Sequence, residues 1–321
     1  MLKPRTTLIA LALGAVAHLA SAQSWPDKPV RLVVPYAPGG TTDFAARLVA
    51  DRLSQQTGKS FFVENKAGAS GTIATAQVAR AAPDGSTFLV NDTTYAMLPS
   101  LFVKLPWDHA SDLTPVTTLA VTPVVLVVAA NSPFKTAQEL FEHARKNPGR
   151  LNFGSGGNGS STHLSAEVLK KEGKLFITHI PYKGAGDAMV GLLGNHVDLL
   201  ITAAPTAVPQ VQGGKVRALA VTGDKPLAGL PGVPTFKEVG LPGYTVTNWF
   251  GLAAPKGTPP DIVSKLQAEV ARALTDPKVT DRLNAMGARP GGMPSAEFSA
   301  FIRNETKQWS EISRTANVQP N

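Results

Sequence analysis

The 321-residue sequence contains no cysteine, which excludes disulfide scaffolds, thiolate nucleophiles and zinc sites that depend on sulfur. It also contains no H-E-x-x-H motif and no other close pair of histidines, so we expect no metal site. The phosphate-binding P-loop and the G-x-S-x-G nucleophile elbow are absent as well. The usual sequence signs of metal-dependent or nucleophilic catalysis are therefore missing, and we do not predict an enzyme.

Charged residues make up only 17% of the chain and hydrophobic residues 43%, so the composition supplies ample material for a core. There are 31 basic and 23 acidic residues, which gives a formal net charge of +8. This excess permits anionic partners without choosing among them. The basic residues are scattered and have few aromatic neighbours, so we expect no nucleic-acid partner.

Residues 1–22 have the pattern of a secretory signal peptide. Lys3 and Arg5 form a basic start, Leu8–Val16 is an apolar stretch, and small residues precede a cleavage site after Ala22. The apolar stretch is too short to span a membrane, although an uncleaved signal anchor is the alternative. Cleavage would leave a net charge of +6 and a protein exported to the periplasm. No later segment has 18 consecutive apolar residues.

Strand and helix patterns alternate along the chain, which predicts an α/β fold with a largely parallel sheet. The first unit is predicted to contain strands at Val30–Val34, Phe61–Val63 and Phe88–Val90, with helices from Thr41 to Gly58 and from Gly71 to Arg80. The second unit is predicted to contain strands at Val124–Ala129, Leu151–Phe153, Ile177–Ile180, Leu199–Thr202 and Val216–Val221, with helices from Thr136, from Ser161 to Lys171 and at Ala185–Leu193.

The C-terminal part begins with an irregular segment rich in proline and glycine, residues 223–245. Two amphipathic helices are predicted to close the chain. The first is expected to be capped by Thr258. The second carries its apolar face on Phe298, Phe301, Ile302, Trp309 and Ile312.

A glycine-containing loop, Pro35–Asp43, joins the first predicted strand to the first predicted helix. Gly39 and Gly40 would let the backbone approach a ligand closely. The helix that follows begins with free amides and a partial positive charge, which suits a carboxylate. The alternative is an ordinary glycine turn in which Thr41 or Thr42 caps the helix.

A second loop, Gly154–His163, repeats this arrangement in the second unit. Gly154, Gly156 and Gly159 match the G-x-G-x-x-G pattern of dinucleotide sites. However, the next predicted strand is followed by Pro181–Lys183, with no acidic residue to bind a ribose. The chain is also predicted to be exported, so we expect no dinucleotide and no other cofactor. Two facing helix starts instead predict a site that holds a dicarboxylate from both ends.

His163 lies in the first turn of the second-loop helix, beside Ser160 and Ser161. An exported serine hydrolase using one of these serines with His163 is an alternative function. No orienting acid is apparent, so the serines are more typical of helix caps. For His163 we favour a structural or supporting role over direct ligand contact, because a proton switch needs a partner that the sequence does not identify.

The two loops and their spacing resemble those of the Bug-type (tripartite tricarboxylate transporter) periplasmic solute-binding receptors. The matching motifs, in chain order, are Pro35–Asp43, Gly154–Leu164, Pro181–Gly184, Gly213–Val221, Pro231–Thr235 and Trp249–Leu252. The resemblance covers essentially the whole mature chain, and it rests on the order and spacing of the motifs together.

The resemblance implies a type II periplasmic-binding-protein fold, with two α/β lobes around a cleft and two crossover connections. We place the crossovers near Val124 and Val246. Domain 1 is then residues 23–123 plus 248–321, and domain 2 is residues 124–247. In such receptors, backbone amides, hydroxyls and ordered water from the two loops hold the ligand carboxylate.

The implied function is a receptor that captures a small organic anion with one or more carboxylates and delivers it to a tripartite tricarboxylate-type membrane permease. Hinge closure around the ligand would be the mechanism, and we expect a monomer. A ligand sensor that feeds a signalling partner would need the same binding site and stays open as an alternative.

The candidate ligand-binding residues come from the two loops and from the ends of the neighbouring strands. They are Tyr36, Ala37, Pro38, Gly39, Gly40, Thr41, Asp43, Ala69, Ser70, Asn91, Thr93, Ser155, Gly157, Asn158, Gly159, Ser160, Ser161, His163, Tyr182 and Ala203. Many family members carry an aspartate just after the strand that matches Leu199–Ile201, whereas this chain continues with Thr202, Ala203 and Ala204. The missing acid argues against a ligand with an ammonium group and favours one with an uncharged body.

Overall fold

The computed structural model describes residues 25–315, so the predicted signal peptide and its cleavage site lie outside the described residues. Helices and strands alternate through most of this range. Their order is β1 (Val30–Val34), α1 (Thr41–Thr57), β2 (Phe61–Asn65), α2 (Thr72–Ala79), β3 (Thr87–Asp92), α3 (Thr93–Leu101), β4 (Leu113–Ala129), α4 (Ala137–Lys146), β5 (Asn152–Ser155), α5 (Ser161–Gly173), β6 (Thr178–Pro181), α6 (Ala185–Leu193), β7 (Leu199–Ala203), α7 (Ala204–Gln212), β8 (Val216–Val221), β9 (Thr247–Pro255), α8 (Pro260–Leu274), α9 (Pro277–Ala285), β10 (Arg289–Pro290) and α10 (Ser295–Thr315).

The strands form two α/β lobes that share the long strand β4. In the first lobe β1 pairs in parallel with β2 and β3, and β3 pairs with the antiparallel strand β9. In the second lobe β5 pairs in parallel with β6 and β7. Residues 113–123 of β4 pair with β9, whereas residues 124–129 pair with β7 and β8. The chain therefore passes from one lobe to the other within a single strand.

Each lobe buries apolar side chains on both faces of its sheet. In the first lobe, Leu32 belongs to one hydrophobic cluster and its chain neighbour Val33 to another. In the second lobe, Leu126 and Val127 are divided between two clusters in the same way. Successive strand residues point to opposite faces, so each sheet lies between two apolar layers. This explains why the predicted strands are almost continuously hydrophobic.

The predicted helix and strand positions in the two units are confirmed, but the prediction of a largely parallel sheet is wrong in part. The strands that connect the lobes, β4 and β9, run antiparallel to their partners. The sequence pattern also misses α3 and α7, which contain Pro99 and Pro209 within their helical turns. Proline usually ends a helix, so both segments lack a clear helical signal.

The C-terminal prediction also needs correction, because within residues 25–315 three helices follow β9 rather than two. The added helix, α9, begins after Asp276, whose side chain accepts a hydrogen bond from the Lys278 amide. Thr258 does not cap α8, since Pro259 occupies the cap position and the Thr258 hydroxyl donates to the Pro255 carbonyl. Among residues 25–315, no helix has the length and apolar character needed to cross a membrane.

The apolar face of α10 lies against the first lobe. Phe298 is fully buried and its ring packs edge-on against Trp249 of β9, with ring centroids 5.2 Å apart. The C-terminal helix therefore returns to the lobe in which the described chain begins.

Candidate functional site

A cavity lies between the lobes at the starts of four helices, α1, α5, α6 and α7. The sequence places the starts of α1 and α5 at the site. It predicts α6 as a helix without placing it there, and it misses α7. The cavity is lined by Tyr36, Ala37, Gly40, Thr41, Thr42, Asp43, Asp92, Gly156, Ser160, Ser161, Thr162, Ala185, Thr202, Ala203, Asn248 and Phe250. Parallel strands end at this edge of each sheet, which is where α/β folds usually bind ligands.

Three of the four helix starts carry no side-chain cap. Gly40, Gly184 and Ala203 occupy the cap positions of α1, α6 and α7 and make no capping hydrogen bond with a side chain. The amides in the first turn of a helix have no partner within the helix and carry a partial positive charge. Within the described residues, no lysine or arginine lines the cavity. The site therefore offers an anion backbone dipoles and hydroxyls rather than a full positive charge.

Asp43 lines the cavity, but its charge is already compensated. Its carboxylate forms a 2.9 Å ion pair with Arg47 and accepts hydrogen bonds from the Asn65 amide and the Gly39 backbone N–H. Burial alone would raise the pKa of Asp43, but these bonds outweigh it and the pKa is lowered. Asp43 therefore fixes the first glycine loop against the start of α1 and is not free to bind a cation.

Asp92 is a buried carboxylate that no local sequence pattern indicates. It caps α3 by accepting the Thr94 amide, and it also accepts hydrogen bonds from the hydroxyls of Tyr36 and Thr42. Burial raises the pKa of Asp92, although the bonds from Thr94, Thr42 and Tyr36 oppose this effect. The pKa of Tyr36 is also raised, mainly by burial and then by the charge of Asp92. Asp92 thus orients two hydroxyl-bearing residues of the cavity wall.

Two buried polar side chains in the cavity wall have atoms without a hydrogen-bond partner among the described residues. They are the Thr202 hydroxyl and the Asn248 side-chain oxygen, on residues only 1% and 2% exposed. A buried polar atom without a partner is costly, so such atoms mark positions where a ligand or water completes the bonding. Thr202 could have been found as the residue before Ala203 at a strand end. Asn248 has no such local signal.

Two histidines, His163 and His179, form hydrogen bonds with the second glycine loop. The Gly159 backbone N–H donates to Nδ1 of His163, and Nε2 of His179 lies 2.5 Å from the Ser155 hydroxyl. The Ser155 hydroxyl in turn accepts from the Gly157 amide. His163 and His179 therefore act on the conformation of the loop.

The geometry gives no support to a serine hydrolase. The Ser160 hydroxyl accepts a hydrogen bond from the backbone amide of His163 and lies 3.0 Å from the Thr162 hydroxyl. The imidazole of His163 instead receives the Gly159 N–H and lies 3.6 Å from Glu167. Its ring nitrogens are thus directed to other groups, and Ser160 is a helix cap.

The structure places thirteen of the twenty predicted site residues in the cleft. Eight line the cavity at the four helix starts: Tyr36, Ala37, Gly40, Thr41, Asp43, Ser160, Ser161 and Ala203. Five more line an adjoining space between the lobes, which Tyr36 also borders: Ala69, Ser70, Gly157, Asn158 and Tyr182.

The other seven predicted residues line neither space: Pro38, Gly39, Asn91, Thr93, Ser155, Gly159 and His163. Pro38 and Gly39 lie on the exposed side of the first loop. The Thr93 hydroxyl accepts the Trp249 amide and so joins α3 to β9. Asn91 is buried and its side-chain amide has no hydrogen-bond partner among the described residues.

Direct hydrogen bonds join the two lobes around the cavity. The hydroxyls of Thr41 in α1 and Thr206 in α7 lie 2.9 Å apart. The Ser161 amide at the start of α5 donates to the Thr94 hydroxyl, and the Ser70 hydroxyl donates to the Asn158 carbonyl. The structure is therefore a closed arrangement in which each lobe contributes part of the cavity wall.

The chain matches the family model "Tripartite tricarboxylate transporter family receptor" over residues 45–318. The chain belongs to this receptor family. Protein BugT of Bordetella pertussis is 33% identical over 308 residues, which cover 95% of this chain and 94% of BugT. Receptors of the family are periplasmic solute-binding proteins, so the Bug-type resemblance is confirmed.

Solved structures of family members share the fold. R. palustris Rpa4515 with adipate has a TM-score of 0.89 and 37% identity, and the match covers 92% of this chain and 100% of that protein. MatC from Rhodopseudomonas palustris with bound malate has a TM-score of 0.85 and 35% identity, and the match covers 90% and 99% of the two chains. The predicted periplasmic-binding-protein fold, with two lobes around a cleft, is confirmed by these likenesses.

Proposed function

We propose that this receptor captures a small carboxylate, a di- or tricarboxylate or an aromatic acid, between its two lobes and delivers it to a tripartite tricarboxylate-type membrane permease. The observation that carries the proposal is the convergence of four helix starts on a cavity that no lysine or arginine lines within the described residues. Such a site favours an anion whose charge is spread over several oxygen atoms.

Backbone groups are sufficient for the affinity that such a receptor needs. A hydrogen bond to a charged group contributes about 1.5–3 kcal/mol, and a helix dipole about 0.3–1 kcal/mol. A micromolar dissociation constant corresponds to about 8 kcal/mol. A few amides from the uncapped starts of α1, α6 and α7 reach this value without a buried cationic side chain.

Hinge closure is the proposed mechanism, with domain 1 formed by residues 23–123 plus 248–321 and domain 2 by residues 124–247. The pairing partner of β4 changes between Pro123 and Val124, and β9 pairs with β4 from Thr247 onward. A ligand that bonds to both lobes favours the closed state by its differential affinity for the two states.

The ligand class follows from the cavity wall and from the relatives. Rpa4515 and MatC have solved structures with adipate and malate, respectively. In this chain Ala203 leaves an apolar patch in the wall, while Asp43 and Asp92 are both engaged in hydrogen bonds within the protein. Among the described residues that line the cavity, no carboxylate is left to bind an ammonium group, so we favour acids over amino acids. We also propose a monomer in the periplasm, with the signal peptide cleaved after Ala22.

A thermal-shift screen followed by calorimetry tests the proposal. The mature protein is titrated with adipate, malate, citrate, benzoate and aspartate. An acid at 100 times its dissociation constant should stabilise the protein by about 2.7 kcal/mol. Binding of a carboxylic acid with micromolar affinity is the expected result. Tight binding of aspartate, with the other four inert, would overturn the proposed ligand class.

A further inference from the structure

The start of α6 meets the first glycine loop directly across the cleft. The Ala37 amide donates a 3.1 Å hydrogen bond to the Lys183 carbonyl, just before α6 begins. Gly184 and Gly186 lie on one side of this contact, and Gly40 lies on the other. The two lobes therefore approach each other closely here, largely backbone to backbone.

Gly186 is the position at which this approach is tightest. A Cβ atom added there would lie 2.6 Å from the Pro38 carbonyl oxygen, 3.0 Å from the Gly39 carbonyl carbon and 3.1 Å from the Gly40 nitrogen. All three neighbours are backbone atoms of the opposite lobe, and no rotamer change can move them away. Even one methyl group at residue 186 thus requires the start of α6 and the Pro38–Gly40 backbone to move apart.

The backbone of Gly186 itself does not require glycine. The residue lies within α6, and its φ is not among the positive values found in the chain. Alanine favours helices more than glycine does, so Gly186→Ala suits the lobe to which residue 186 belongs. Residue 186 must be glycine because the opposite lobe leaves no space for a Cβ, and this restriction applies only when the cleft is closed.

We propose that Gly186 is a positioning residue that permits closure: its missing side chain lets α6 lie on the Pro38–Gly40 backbone, and ligand retention depends on this contact. This inference rests on the proposed receptor function. The contact is made by protein atoms alone, so the protein without ligand populates the closed state to a measurable extent. Gly186→Ala removes that population.

The absence of native cysteines allows the lobes to be labelled cleanly. Val103 in the first lobe and Val190 on α6 are 85% and 68% exposed, so cysteines placed there can carry spin labels. The distance distribution between the labels is measured with and without adipate or malate, in the otherwise unchanged protein and in Gly186→Ala. Gly194→Ala is the matched control, because an added Cβ there meets its nearest neighbours at 3.5 Å.

Without ligand, the unchanged protein and Gly194→Ala should both show a closed distance in part of the population, and Gly186→Ala should lack it. Thermal unfolding should show Gly186→Ala to be at least as stable as the unchanged protein. A closed population of the same size in Gly186→Ala would overturn the proposal. So would a complete absence of the closed distance from the unchanged protein, because the direct contact would then not favour closure.

Calorimetry and stopped-flow dissociation with adipate and malate form the second arm. Gly186→Ala should bind at least 10-fold more weakly, mainly through faster dissociation, whereas Gly194→Ala should bind normally. Equal dissociation rates in all three proteins would overturn the role in ligand retention. If neither acid binds to the unchanged protein, the proposed ligand class fails, while the ligand-free distances still decide whether Gly186 governs closure.

Discussion

His163 and His179 stack face to face beneath the second glycine loop, with ring centroids 3.9 Å apart and ring planes 14° from parallel. Phe153 extends the stack, since its ring centroid lies 4.8 Å from that of His179. Glu167 and Lys170 are the charged groups that face the pair from α5. The second glycine loop is therefore hydrogen-bonded to two titratable histidine rings that contact each other.

We predict that the protein loses stability as the pH falls from about 6.5 towards 3. Burial, and then the charge of His163, lower the pKa of His179 to about 3. An unfolded histidine has a pKa of about 6.5, so in this range the unfolded chain binds a proton that the native protein does not. Lower pH thus favours unfolding, and His179→Gln should weaken this dependence because it removes the titrating group.

The measurement is the free energy of urea unfolding at intervals from pH 3.5 to 7.5. The slope for His179→Gln should be shallower than for the unchanged protein but not zero, because burial also lowers the pKa of His109 to about 4. His196→Gln is a suitable control, since His196 is exposed. If the free energy of unfolding depends on pH equally steeply in His179→Gln and in the unchanged protein, His179 is not the titrating group.

Thr206→Val should weaken ligand binding through faster dissociation. The bond between the hydroxyls of Thr41 and Thr206 joins the lobes only when they are closed. A typical hydrogen bond contributes about 0.5–1.5 kcal/mol, so its loss should lower the affinity for adipate or malate by about 2- to 10-fold. Calorimetry measures the affinity and stopped-flow fluorescence the dissociation rate.

Thr306→Val is the control for this substitution. Thr306 lies in α10, where its hydroxyl bonds to the Ile302 carbonyl of the same helix. This variant should bind the ligand normally. If Thr206→Val binds and releases ligand like Thr306→Val, the bond between the lobes does not contribute to closure.

Gly159→Leu should abolish ligand binding and leave the protein folded. Gly159 has a φ of +76°, and an added Cβ would lie 2.8 Å from the Leu101 side chain. A larger side chain both strains the backbone and pushes the second loop away from its bond with His163. Circular dichroism tests the fold and calorimetry the binding.

Gly58→Leu separates the effect of backbone strain from that of the steric conflict with Leu101. Gly58 ends α1 with a φ of +67°, and an added Cβ there meets no atom within 4 Å. It therefore carries the same backbone strain without the steric conflict. Binding should survive in Gly58→Leu and fail in Gly159→Leu. Loss of binding in both variants, or in neither, would mean that ligand binding does not depend on the space around Gly159 in the second loop.

Local patterns account for the parts of the fold and the site that the sequence predicts. The first loop is recognisable because β1, two glycines and the apolar spacing of α1 adjoin one another in the chain. Asp92 and Gly186 are not recognisable in this way. Asp92 acts through contacts with Tyr36 and Thr42, which are at least 50 residues away, and Gly186 through a backbone of the opposite lobe. Only the tertiary arrangement creates their roles.

Asn248→Leu should weaken ligand binding and raise the stability of the protein without ligand. The Asn248 side-chain oxygen is buried in the cavity wall with no partner among the described residues, and leucine has a similar size without the polar atoms. Leaving a buried polar group unpaired costs about 1–3 kcal/mol, which leucine removes. The same substitution deletes a group that can bond to a hydroxyl or carboxylate of the ligand. Calorimetry with malate and adipate, together with urea unfolding, measures the two effects.

Val246→Ala is the control for altered packing near Asn248, where the chain crosses between the lobes. If Asn248→Leu lowers both stability and affinity, Asn248 supports the fold rather than the ligand.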